Sequence, residues 1–564
     1  MPKITIRKYY NRVNRQNLMR SPHQLKEPDV LEPDNNNQIK QQAQQVGDPQ
    51  KLIGTWAIKY NITHVSLNAL LHLLKLISPE VFPSDARTLL KTKREVHTKC
   101  VDPGVYFHFG VEHCLEKLMS KSTNLFLAEH SEIEILINIV GLPLSKSSSY
   151  KKNKKNVDMI GIYHGYEKPK SANCFLEDFV KDVSDALSLT NKHYSVKICA
   201  FVCDAPAKSF ITYTKGHSGY SSCTKCYIEG DNINRRVCFP HCNNPRIRTD
   251  AEFRAKLQED HHNGTSILQN IPNLDMVTNF PLDYMHLICL RVVKKLIVTL
   301  WSCGKPPAKL SYNQLSQISG RLINLSSNMP IEFNRKPRSL LEAKRWKATE
   351  FRQFLFYNSC GFRTAIPEIR RSCVLTNTLS PDKYLNFVCL HVSATILSSS
   401  SYADYIDYAD SLLVYFVNTF ITLYKPEYVS HNIHNLLHIA QDVKNLGTLD
   451  NFGAFEFENY LQSIIRLVRK NNSPLAQIIK RKSEQDIIVN SGDSKSESYT
   501  PYVTNKHFEG PTLINKSYLD QYQKIFFQNF QIHTSEPNNC CMLKNGDIIL
   551  VKNIISSVNT FTII

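Results

Sequence analysis

Residues 198–226 read ICAFVCDAPAKSFITYTKGHSGYSSCTKC. Apolar residues run straight into Asp204, Pro206 follows, His217 comes next, and Cys223 and Cys226 close the stretch. A short run of this kind, stopped by Asp and Pro, is the pattern of a buried strand. Asp204 then stands at a strand's C-terminal end, where a carboxylate in a dry α/β crevice suits Mg²⁺. Nucleases that cut phosphodiesters hold two such ions about 4 Å apart with a few carboxylates. The plainer reading is a turn residue ahead of Pro206.

Cys223 and Cys226 have the spacing of two corners of a tetrahedral zinc site. Candidates for the other corners are His217, Cys238, His241, Cys242 and, further on, His286. A thioredoxin-like role is disfavoured, because the pair does not open a helix after a strand. Two free thiols are the alternative.

Working outward, IEILINIVGLPL, VDMIGIYHG and VKICAFVCDAPA are Ile- and Val-rich runs ending at Gly, Pro or Asp. They predict neighbouring strands over 133–140, 157–163 and 196–203, with Val140 and Asp204 at adjacent ends. Between the last two, NCFLEDFVKDVSDAL predicts an amphipathic crossover helix, hence a mixed α/β core. Residues 1–50 read as a basic and polar arm that cannot build a core. Residues 51–127 read as helical, with SDARTLL opening a helix capped by Ser84. The core occupies 128–300 and carries the cysteine pair, a helical insertion spans 301–430, and the last core helices span 431–480. A polar linker over 481–498 leads to a small β unit at 499–564.

The 564 residues are 42% apolar, enough for about two to four packed units. Lys and Arg outnumber Asp and Glu by 68 to 50, a net charge of +18. That surplus favours polyanions, above all nucleic-acid phosphates. No apolar segment is long enough to span a bilayer, which takes roughly 20 residues, and the basic start MPKITIRKYYNRVNRQNLMR lacks a signal's apolar region. The expectation is a soluble intracellular protein whose sixteen cysteines stay reduced.

Further along, PLDYMHL puts Asp283 and His286 on one helix face. HNIHNLLHIAQDV and AFEFENYL bring His434, His438, Glu456 and Glu458 near the end of the helical part. RKPRSLLEAKRWKATEFR carries Arg335, Lys336, Arg338, Lys344, Arg345, Lys347 and Arg352 around Trp346. Its charge density suits phosphate contact, while Trp346 is equally suited to anchoring a helix in the core.

Taken in order, GIYHGYEKPKSANCFLEDFV, the 198–226 stretch from FVCDAPAK onward, PLDYMHLICLRVVKKL, RKPRSLLEAKRWKATEFR and LDNFGAFEFENYL resemble the CACTA-like (En/Spm-type) transposases, notably the transposase-domain proteins of invertebrates. The resemblance covers roughly residues 63–479. It implies an RNase H-like mixed-sheet core with an Asp-Asp-Glu triad, interrupted by a helical insertion, and a two-Mg²⁺ chemistry that cuts transposon ends and joins them to target DNA. Asp204 matches the second acid and Glu458 the glutamate. Cys223 and Cys226 match the family's Cys-x-x-Cys, Asp283 and His286 its Asp-x-x-His, and Arg345 and Trp346 lie in its basic helix. His217 and His286 belong to matching motifs and are therefore the preferred partners of the cysteine pair at a structural zinc.

The first acid departs from the pattern. Where the family has Asp-Gly-Leu-Pro, this chain has INIVGLPL, with Val140 in the acid's place, and SYKKNKKN replaces the expected second strand. The expectation is a transposase-derived, nuclear, double-stranded-DNA-binding protein, compatible with homo-oligomers, that retains zinc but neither the ancestral magnesium nor strand cleavage. DNA contact is assigned to Arg335, Lys336, Arg338, Arg345 and Lys347. The alternatives are an active nuclease with a substitute ligand such as Asp158, and a zinc-stapled interaction scaffold.

Overall fold

The computed structural model describes residues 48–119, 132–141, 157–188, 195–241, 245–333, 335–359, 374–470, 472–490, 501–512, 520–527, 530–542, 548–557 and 560–564. Most of the arm, the SYKKNKKN stretch and Cys242 lie outside them. The chain divides into two units, ending and starting at Lys91 and Thr92.

The first unit is helical among its described residues. Helices α1 (Pro49–Lys59) and α2 (His64–Ile77) are capped by Asp48 and Thr63, whose side chains accept from the amides of Gln50 and Ser66. Leu67, Leu71, Ala57, Ala86 and Leu90 form its small core. The cap of the short Ala86–Leu89 helix is Asp85 and not Ser84, because the carboxylate accepts from Arg87 N at 2.7 Å while the Ser84 hydroxyl is taken by Lys75.

The second unit is mixed α/β. Strands β1 (Lys99–Val101), β2 (Gly104–His108) and, later, β4 (Gly161–His164) make a three-stranded antiparallel sheet. The helical region expected over 51–127 therefore stops short, and α3 (Val111–Met119) follows these strands. Strands β3 (Glu132–Ile139) and β5 (Ser195–Cys203) pair in parallel, from Glu132 opposite Ser195 to Ile139 opposite Cys203. The expected order is thus corrected at one strand: β4 pairs with β2, where Tyr106 and Tyr163 both meet the edge of Phe175. The predicted crossover helix is α4 (Ala172–Ser188). Its Phe179 meets Phe201 of β5 edge to face, and Phe280 stacks on Phe201 at 5.0 Å.

A large buried cluster joins the core to the helical part. It includes Val202, Tyr284, Trp301, Trp346, Phe387, Phe416 and Phe452. Helix α5 (Ala205–Thr212) follows β5 and buries Ile211 in the cluster that also holds Phe179 and Phe201, while α6 (Pro381–Leu397), α7 (Ile406–Tyr424) and α8 (Phe455–Ile465) belong to the helical part. The polar stretch read as a linker from 481 continues helix α9 (Pro474–Asn490) instead. Its Lys482 and Asp486 are buried by ion pairing, which composition alone does not reveal. At the end, β6 (Tyr502–His507), β7 (Asp520–Phe526), β8 (Gln531–His533), β9 (Ile554–Ser557) and β10 (Thr560–Ile563) form an antiparallel sheet around Ile525, Ile532, Val551 and Ile554. Among the described residues, no helix is long and apolar enough to cross a membrane.

Candidate functional site

The strand β5 ends at Cys203, and the Asp204 carboxylate caps α5 by accepting from Ala207 N at 2.8 Å. In the parallel register Val140 follows Ile139 as Asp204 follows Cys203, so the two stand at adjacent strand ends. Asp204 lines a pocket with Lys208, His217, Asp283, His286 and Asn435.

Asp283 is buried and fully engaged. It accepts from the amides of Met285, His286 and Ala454 and from the His286 ring, whose Nδ1 lies 2.5 Å away. Burial alone would lower the His286 pKa, yet the hydrogen bond and charge of Asp283, with the charges of Asp204 and Glu458, raise it. The amide of Ala454 immediately precedes α8, so Asp283 also fixes the helix that carries Glu458. Burial, then the charges of Asp283 and Asp204, raise the Glu458 pKa, partly offset by His286. Asp204, Asp283, His286 and Glu458 thus feel one another's fields. Below them Lys208, wholly buried, donates to the carbonyls of Phe280 and Pro281 and is brought down to about 8 by burial.

The cysteine pair has different partners from those expected. Cys223, Cys226, His434 and His438 are all buried, and their ligand atoms lie within 4.8 Å of one another. The two sulfurs are 3.5 Å apart, Cys226 Sγ is 3.2 Å from His434 Nε2, and the two Nε2 atoms are 3.3 Å apart. A tetrahedral zinc, bonded at about 2.3 Å to sulfur and about 2.0 Å to nitrogen, spaces its sulfurs roughly 3.8 Å and its nitrogens roughly 3.3 Å apart. The four side chains fit zinc. His217 and His286 line the acid pocket instead, and His286 is held by Asp283. Cys238 points to the carbonyl of Glu427, and His241 pairs with Asp231 at the surface.

The surroundings brace this cluster. Lys225 N and Asn435 approach Cys223 Sγ at 3.5 Å, Phe239 stacks on His434, and the buried Lys225 ammonium meets Asp442 at 2.7 Å. Asp442 in turn accepts from Leu282 N. The residue inside Cys-x-x-Cys is thereby tied to the helix just beyond His438, and both to the start of the Asp283 turn. Burial would raise the Cys223 pKa, but the hydrogen bond from Cys226 and the charges of His438 and His434 lower it well below an ordinary thiol's, suiting it to a metal. The signal available in the sequence was His434 and His438 four apart on one helical face.

Asp158, the substitute ligand considered above, is caged. It meets Lys117 at 2.9 Å and also Lys482, and Tyr460 donates to it at 3.2 Å. Burial opposes its charge, yet Lys482 and Lys117 hold its pKa down at about 2. Its oxygens are spent on lysines and cannot serve a metal.

The basic stretch splits in two. Arg338 grips the buried Glu350 through Nε and Nη2 at 2.7 and 3.0 Å, and Arg335 stands 4.0 Å from the same carboxylate. Trp346 is buried against Phe351 and Phe354. Arg338 therefore braces this segment, while both arginine side chains remain about a third exposed. Lys336, Lys344, Arg345 and Lys347 remain exposed.

Residues 506–564 match the family described as Domain of unknown function (DUF8592). No curated protein matches the chain.

Proposed function

We propose that this chain is a transposase-derived, DNA-binding protein that does not cut DNA. The strand pair β3–β5, crossover α4 and acid pocket are read as an RNase H-like core of the CACTA-like kind. The observation that carries the reading is the register of Ile139 with Cys203, which sets an apolar Val140 beside Asp204. A two-magnesium centre needs a shared carboxylate between its ions, and an isopropyl group offers no oxygen. Of the acids nearby, Asp283 already accepts four hydrogen bonds. Asp204 caps a helix. The residues present do not fit the magnesium pair, and no cleavage step is derived through it. They fit a structural zinc at Cys223, Cys226, His434 and His438, which would pin the helical part to the core beside that pocket.

DNA contact falls to exposed cations, among them Lys336, Arg345 and Lys347, on a chain of net charge +18. A nuclear location follows from that role. Mobility shift of the full chain on duplex DNA over a salt series tests this. The logarithm of affinity should fall linearly with that of salt, and the K336E/R345E/K347E variant should lower both affinity and slope. Absence of binding at low salt overturns the reading.

A further inference from the structure

The longest stretch of the +18 chain without Lys or Arg runs between Lys383 and Lys425. That interval contains the 3₁₀ turn Ser400–Tyr405 and helix α7. The helix's inner face is settled, since Ala409, Leu413, Phe416, Val417, Phe420 and Tyr424 are buried. The outer face is aromatic and acidic. Tyr405, Tyr408 and Tyr415 are 57%, 56% and 44% exposed, and Val414 beside them is exposed too. Positions 405, 408 and 415 fall on one side of a helix, separated by three and seven residues. Asp404, Asp407 and Asp410 run along the same first turns. Asp407 is 86% exposed and reaches Lys444 at 2.5 Å, and Asp404 is exposed with no ion pair among the described residues.

We infer that this tyrosine–aspartate face is a docking surface for an arginine- or lysine-rich segment of a protein partner. Tyrosine faces attract a guanidinium or ammonium, and adjacent carboxylates supply the counter-charge and hydrogen-bond acceptors that a planar guanidinium matches. Three exposed aromatic rings over a closed apolar layer also give the rigid contact area from which hot spots are built. A polyanion is disfavoured, because the exposed carboxylates would repel its phosphates. A second copy docked face to face is disfavoured too, since a two-fold axis would set the aspartates against themselves. A basic segment matches the exposed Asp404 and the tyrosine rings, and it is attracted by the carboxylates that repel a polyanion. The inference therefore stands apart from the DNA-binding reading.

The test uses the full chain and a fluorescein-labelled nona-arginine peptide, followed by anisotropy at moderate salt. The overall charge opposes this probe, so binding reports a local acidic site. Binding by the native chain, weakened at least tenfold in Tyr405→Ser/Tyr408→Ser and in Asp404→Asn/Asp407→Asn but not in Glu167→Gln, is the expected result. Unaltered far-ultraviolet dichroism and unaltered duplex-DNA binding in these variants show that the fold persists. No binding by the native chain, or equal binding by both double variants, overturns the proposal. So does a concentration-dependent dimer that the tyrosine variant abolishes, which would assign the face to a second copy.

Discussion

His434 Nε2 lies 3.2 Å from Cys226 Sγ, although 208 residues separate them. Nothing local brings the two together, so the contact records how the helical part closes on the core. With Cys223 and His438 it forms a buried four-ligand cage, and the first prediction concerns what fills it.

One zinc per chain is expected by elemental analysis of protein expressed with zinc. Cobalt substitution should give the intense ligand-field bands of a tetrahedral S₂N₂ site. His434→Ala and Cys226→Ser should lose the metal and unfold at lower denaturant, whereas His217→Ala should keep both. Retention of stoichiometric zinc in His434→Ala, or its loss in His217→Ala, would refute the ligand set.

The Asp158 cage sets a second expectation. Two buried lysines face Asp158, Asp486 shares them, and each group depends on the others. Asp158→Asn leaves buried cations short of a partner and should cost about 3–5 kcal/mol at pH 7. The sign follows from linkage: a carboxyl held at about 2 when folded contributes stability that is present above its unfolded value and lost as pH falls toward 2. Urea titrations should therefore show the gap between native chain and variant closing below pH 4. A gap that is constant with pH would show that the ion pairs are not its source.

What could be read from the sequence was whatever a few neighbouring residues decide. The apolar run stopped by Asp204 is β5, NCFLEDFVKDVSDAL is α4, and Cys223 with Cys226 does enter a ligand cluster. What could not be read depends on distant pairing. The choice of β2 as partner for β4 follows from aromatic packing on Phe175. The charged end of α9 looks like a linker until Asp158 and Lys117 are found opposite it. Arg338 looks like a phosphate ligand until Glu350, twelve residues on, takes its guanidinium. His217 and His286 belong to the motifs that carry the resemblance, but the fold turns them to the acid pocket.

Glu458 offers a third prediction. Its folded pKa is raised by burial and by Asp283 and Asp204, so it contributes stability below its unfolded value that is lost as pH rises through the folded one. His286, also raised, adds a loss of the same sign at higher pH. Glu458→Gln removes the charge that burial opposes and should stabilise the chain by about 0.5–2 kcal/mol at pH 8, a common gain on relaxing a functional site. At pH 4 the gain should vanish. An equal gain at both pH values would mean that packing, not ionisation, is responsible.

The last prediction concerns Val140. At the end of β3 it stands where a carboxylate would face Asp204, and it is only partly buried. Val140→Asp therefore needs no deep burial of charge. Without magnesium the substitution adds an anion beside Asp204, whose charge with that of Asp283 already acts on Glu458, so the variant should melt below the native chain. With magnesium the order should change. An ion bound only by the folded state stabilises it by RT ln(1 + [L]/Kd), roughly 1.4 kcal/mol at ten times the dissociation constant. Thermal melts with and without millimolar Mg²⁺ should thus show a rise for Val140→Asp and none for the native chain. The added carboxylate acts through Asp204, so Val140→Asp/Asp204→Asn should lose the rise. On duplex DNA the native chain should leave strands uncut. Mg²⁺-dependent cutting by the native chain, abolished by Asp204→Ala, would overturn the proposal that the chain does not cut DNA.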